Sequence, residues 1–80
     1  MVSNNFTKIT YKAISKYLLM KDIFYELEEQ GCKIKLKDKL IQIDFKTRDK
    51  FIIEQMKEVI ERLLFKYKLQ ILSYSIKDSR

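Results

Sequence analysis

Residues 32–45, CKIKLKDKLIQIDF, constrain the fold more than any other part of this chain. In a hairpin with Asp38 and Lys39 at the turn, Cys32 faces Phe45, Ile34 faces Ile43 and Leu36 faces Ile41. Every apolar residue except Leu40 then lies on one side of the ribbon, and Lys33, Lys35, Lys37, Gln42 and Asp44 occupy the other. A slip of one residue would mix the two sets, so the pattern specifies the register as well as the hairpin. The turn lacks the Asn-Gly or Asp-Gly pair favoured in a tight connection, and a four-residue loop over 37–40 is expected instead.

Helical periodicity flanks the hairpin on both sides. Over residues 10–30 the set Ala13, Tyr17, Met20, Phe24 and Leu27 recurs at three- and four-residue spacing and predicts a helix that Gly31 terminates. A second helix is expected to follow Thr47 as N-cap, with Asp49 in its first turn. Its apolar stripe is Ile52, Met56, Val59, Ile60, Leu63 and Tyr67, which leaves Phe51, Ile53 and Phe65 off centre. Residues 69–76, LQILSYSI, are too few for a stable helix and read as a strand.

The expected class is therefore α+β: a small antiparallel or mixed sheet, the hairpin plus the C-terminal strand, covered on one face by two helices. A strand at 3–9 would complete a ferredoxin-like βαββαβ order, but SNNFTKI is polar for a central strand and is left open between strand and helix lead-in. A winged-helix arrangement with the hairpin as wing is the rival. It needs a break within 10–30, for which Lys21-Asp22 is the only candidate.

Eighty residues suffice for a single domain, 1–80, and bury only about 60–65% of the unfolded surface, so self-association as a dimer is expected. With one glycine, no proline and 46% hydrophobic residues, the chain has the composition of a folded globule. A lone cysteine, with no apolar leader after Met1, points to a reducing compartment, the cytoplasm. The longest apolar run, residues 17–20, is far short of the roughly 20 residues that span a bilayer, so no integral membrane association is expected.

Catalysis finds little support in the residue types present. Histidine is absent, which removes the commonest general base and metal ligand. One cysteine leaves no zinc site, and one glycine leaves no phosphate-cradling loop. Glu28 with Glu29, and Glu54 with Glu58 and Glu61, read as solvated helix surface rather than paired acids. No enzyme activity, metal, cofactor or small-molecule substrate is expected, and Cys32 reads as a buried structural thiol.

Charge supplies the functional expectation. Seventeen basic residues against eleven acidic ones give a net charge of +6, which favours polyanions. Lys33, Lys35, Lys37, Lys39, Lys46 and Arg48 form the candidate nucleic-acid-binding set on the hairpin and just beyond it. Two bland explanations compete: lysines on an outer strand guard its edge, and an excess of Lys and Ile over Gly, Ala, Arg and Pro is what A/T-rich coding produces. Only three of the basic residues are arginine, which argues against base-specific readout. Exposed rings from Tyr67, Tyr74, Phe51 or Phe65 would offer a weaker stacking route to single strands. The alternative function is a protein-interaction or regulatory module whose interface is Leu18, Leu19 and Tyr25 of the first helix, joined by Phe65.

Overall fold

The structure, a computed structural model, describes residues 6–16 and 21–79. Its elements are β1 (Phe6–Ser15), α1 (Lys21–Glu29), β2 (Lys33–Lys37), β3 (Leu40–Thr47), α2 (Phe51–Lys66) and β4 (Leu69–Ser79). The four strands form one sheet in the order β2-β3-β1-β4, and every neighbouring pair is antiparallel. This βαββαβ chain is α+β, and its strand order suggests the ferredoxin-like arrangement. A winged helix is excluded, because residues 6–15 form a strand inside the sheet where that fold needs a helix within 10–30.

The first strand corrects the expected helix over 10–30. Thr7, Ile9, Tyr11, Ala13 and Ser15 are buried, while Lys8, Thr10, Lys12 and Ile14 turn to the opposite face. That is a period of two, and the β-branched residues among them favour a strand. The polarity of the segment misled because a central antiparallel strand needs only one apolar face when the other meets water. Helix α1 begins at Lys21 and buries Ile23 and Leu27. Tyr17 and Met20 of the expected stripe, with residues 3–5, lie outside the described residues.

Gly31 ends α1 as anticipated. Its φ of +86°, with Gly31 N–H on the Glu28 carbonyl and Cys32 N–H on the Leu27 carbonyl, makes a Schellman motif. The hairpin adopts the expected register, with Ile34 opposite Ile43, Leu36 opposite Ile41 and Lys33 opposite Asp44. Its connection is the two-residue turn Asp38-Lys39 rather than a four-residue loop, because Asp38 itself takes a positive φ of 57°. Aspartate tolerates the left-handed region better than most residues.

Helix α2 starts later than Thr47 implied. Thr47 closes β3 and its Oγ1 accepts the Asp49 N–H at 3.0 Å, while Asp49 Oδ1 accepts the Phe51 N–H at 2.9 Å. Asp49 therefore satisfies the first free donor of the helix. The buried stripe is Ile53, Met56, Ile60 and Leu64, with Ile52, Leu63 and Tyr67 only partly covered. The stripe is rotated from the expected one, and Ile53 belongs to the core.

That core lies between one face of the sheet and the two helices. Ile9, Tyr11, Ala13, Ile41, Ile43 and Phe45 from the sheet meet Ile23, Leu27, Met56, Ile60 and Leu64. Helix α1 covers the β2 side and α2 the β1 and β4 side. Tyr11, 1% exposed, donates its hydroxyl hydrogen bond to Glu61 Oε2 at 2.5 Å. Burial, reinforced by that carboxylate, raises its phenol far above the ordinary value.

Lys68, after α2, holds a φ of 59° without being glycine. Two substitutions should therefore move stability in opposite directions. Lys68→Gly is expected to stabilise by up to about 1 kcal/mol, and Gly31→Ala to destabilise by about 1 kcal/mol or more. Urea midpoints at unchanged m-value measure both.

Candidate nucleic-acid interface

Because both helices lie on one side, the other face of the sheet is open and can be read row by row from the strand registers. Lys46, Lys8 and Lys77 stand directly opposite one another on β3, β1 and β4. The next row is Lys33, Asp44, Thr10 and Ser75, followed by Lys35, Gln42, Lys12 and Ser73. Lys37, Leu40, Ile14 and Gln70 complete it. Seven lysines share this face with one carboxylate, Asp44, among the residues in these rows.

Asp44 is largely buried and already engaged. Its Oδ1 accepts from Thr10 Oγ1 at 2.8 Å, and its Oδ2 from Gln42 Nε2 at 3.2 Å. Asp78 sits on the helix side, where it accepts from Thr7 Oγ1 at 2.8 Å and lies 3.9 Å from Lys50 Nζ. Within the rows seven lysines thus face one carboxylate, and Asp78 adjoins them at the margin.

Two shallow recesses open among these lysines. One, of about 360 Å³, is lined by Phe6, Lys8, Lys46, Lys77 and Asp78, and Lys46 Nζ stands 5.0 Å from the Phe6 ring centroid. The other, of about 310 Å³, lies along Lys8, Gly31, Lys33, Lys35, Asp44 and Lys46. At the far end of the face a third recess of about 350 Å³ is apolar, with Leu36, Leu40 and Leu72 between Lys12, Lys35 and Lys37.

Of the six basic residues singled out from the sequence, Lys33, Lys35, Lys37 and Lys46 lie on this face. Lys39 lies in the turn beyond it, and Arg48 lies past the end of β3 on the way to α2. Lys8, Lys12 and Lys77 were missed; the first two carry the charge across the inner strand β1, and Lys77 extends it to the edge strand β4. The signal for Lys8 and Lys12 was present in the alternation of TKITYKA, but only if that segment is read as a strand.

The expected protein interface is dispersed in the described residues. Leu18 and Leu19 lie outside them; Tyr25 is exposed on α1 and Phe65 is exposed near the end of α2. The facing ends of the two helices are joined by polar contacts. Glu26 accepts from the Tyr67 hydroxyl and from Lys66 Nζ, the latter at 3.1 Å. The Tyr67 bond, then that of Lys66, holds the Glu26 carboxyl below the usual glutamate range, while the same bond raises Tyr67 to about 12.

No group of three or more His, Cys, Asp or Glu residues able to hold a metal occurs among the described residues, and none of their helices is long and apolar enough to cross a membrane. Cys32 is buried, and burial pushes its thiol up to about 11. No protein-family model, curated protein or solved structure matches the chain.

Two titrations follow. Glu26, with its depressed folded pKa, stabilises the fold above the ordinary glutamate range, and this contribution fades as pH falls through the folded value. Carbon-detected NMR should place its titration below that of a model glutamate, and Tyr67→Phe should move it back upward. Cys32 should react with thiol reagents slowly at neutral pH, faster as pH approaches about 11, and rapidly once urea unfolds the chain.

Proposed function

We propose that this chain is a small non-catalytic binding module whose open sheet face holds the phosphate backbone of nucleic acid. The observation that supports this reading is the row Lys46, Lys8, Lys77 across three adjacent strands. Like charges directly opposite one another destabilise a sheet, and a bound polyanion relieves the repulsion. Edge protection accounts for Lys33, Lys35 and Lys37 on the outer strand β2, but not for Lys8, Lys12 and Lys46 on interior strands. Lysine acts here as a point charge, so the contacts read phosphate rather than base edges. A reducing compartment such as the cytoplasm suits the buried free thiol.

The test uses opposite signs. Replacing Lys8, Lys46 and Lys77 with Gln should raise stability at low salt by a few tenths to about 1 kcal/mol. The same variant should weaken binding to a duplex and flatten the log-log salt slope by up to about three units. Replacing Lys33, Lys35 and Lys37 should flatten the slope similarly. No binding by the parent chain at low salt, or a slope indifferent to both triple variants, would sink the proposal.

A second reading is favoured by Phe51 and Phe65, 92% and 85% exposed on α2, and Tyr25, 63% exposed on α1. Rings so open to water suit a protein-interaction or regulatory module to which Leu18 and Leu19 also contribute. Phe65→Glu with Tyr25→Glu separates the readings, since it should abolish a protein partner's binding and leave the salt slope on nucleic acid unchanged.

A further inference from the structure

The two edges of the sheet are built differently. Along β2 every second residue is lysine, the usual guard against strand addition. Along β4 no charged residue occurs between Leu69 and Ile76, and Ile71, Leu72, Tyr74 and Ile76 are each between 41% and 52% exposed. The strand is eleven residues long; a bulge opposite Lys12 and Ala13 interrupts it and Lys77 and Asp78 lie near its end, so the stretch after the bulge, Ser73 to Ile76, is an uncharged edge. A second copy of this chain fits it, because the neighbouring charges are complementary to themselves.

Lys50, the N-cap residue of α2, and Glu54, Lys57 and Glu61 within it follow one another at steps of four, three and four, and so share one side of the helix. Their contacts place that side along β4. Lys50 Nζ is 3.9 Å from Asp78, and Lys57 Nζ is 5.1 Å from the Tyr74 ring centroid. Glu61 holds Tyr11, whose ring lies 5.0 Å from that of Tyr74. A two-fold axis reverses such a row against itself, and reversal of alternating Lys and Glu sets Lys against Glu at all four positions.

The same axis suits the strand. With Lys50 beside Asp78 and Lys57 beside Tyr74, the middle of the charged row lies over Ser75. Antiparallel pairing centred on Ser75 places Tyr74 opposite the partner's Ile76 on the helix side. It also places Lys77 opposite the partner's Ser73 on the open side, so no lysine meets lysine across the new ladder. The strand edge and its four exposed apolar side chains bring the buried surface to on the order of 1,000 Å², the threshold for a specific interface.

We infer that β4 pairs antiparallel with β4 of a second copy about a two-fold axis near Ser75, giving a continuous eight-stranded sheet with four helices on one face. The inference does not rest on the nucleic-acid reading, although the pairing makes the two lysine faces one surface.

Sedimentation equilibrium of the full chain over a concentration series tests it, with circular dichroism to verify folding. A reversible dimer is expected, and Ser75→Lys, at an exposed position, should weaken it at least about tenfold by opposing two lysines at the axis. Ile76→Lys should act likewise. Glu54→Lys alone should weaken the dimer by setting a lysine against the partner's Lys57, and adding Lys57→Glu should restore it by again opposing unlike charges across the axis. A parent chain that stays monomeric, a dimer indifferent to both lysine substitutions, or a Glu54→Lys defect that Lys57→Glu deepens overturns the inference.

Discussion

A sheet covered by helices on one side only must send every second residue of each strand into water, and this constraint organises the molecule. On β1, the inner strand between β3 and β4, it divides nine consecutive residues into two sets. Thr7, Ile9, Tyr11, Ala13 and Ser15 go under the helices, and Lys8, Thr10, Lys12 and Ile14 face outward. The first set anchors the core, since Ile9 and Ala13 are fully buried and Tyr11 ties the sheet to α2 through Glu61. The second set makes the open face basic.

Covering one face also explains the unequal edges. Helix α1 packs toward β2 and α2 toward β1 and β4, so neither closes over the outer side of β4. Tyr74 and Ile76 point to the helix layer yet remain substantially exposed. A chain of 80 residues has little surface with which to correct this. Lysine guards β2 from the open face at no cost to the core, whereas the matching open-face positions on β4 hold Ser73 and Ser75 before Lys77.

The open face has its own tension. Lys8 stands between Lys46 and Lys77 on its two neighbouring strands, and only Asp44, already bonded to Thr10 and Gln42, offsets the seven lysines in the rows. A/T-biased coding can explain why these positions hold Lys rather than Arg. It does not explain why three of them should oppose one another across three adjacent strands, two of them interior, where Thr, Gln or Ser would relieve the repulsion. The proposed binding of a polyanion would give that arrangement a reason.

Local patterns decided much of the architecture. The alternation in residues 32–45 determined the hairpin register, Gly31 determined where α1 stops, and the periodicity after residue 50 determined α2, because each signal acts through neighbours in sequence or across one turn. Position in the sheet was decided by tertiary structure alone. A segment such as TKITYKAIS has apolar residues that fit a helical stripe or an alternating strand, and only pairing with β3 and β4 resolves the ambiguity. The same pairing brings Lys8, Lys46 and Lys77 together from positions far apart in the chain. Such a cluster has no local signature, since hydrogen bonds between strands, and not spacing along the chain, create it.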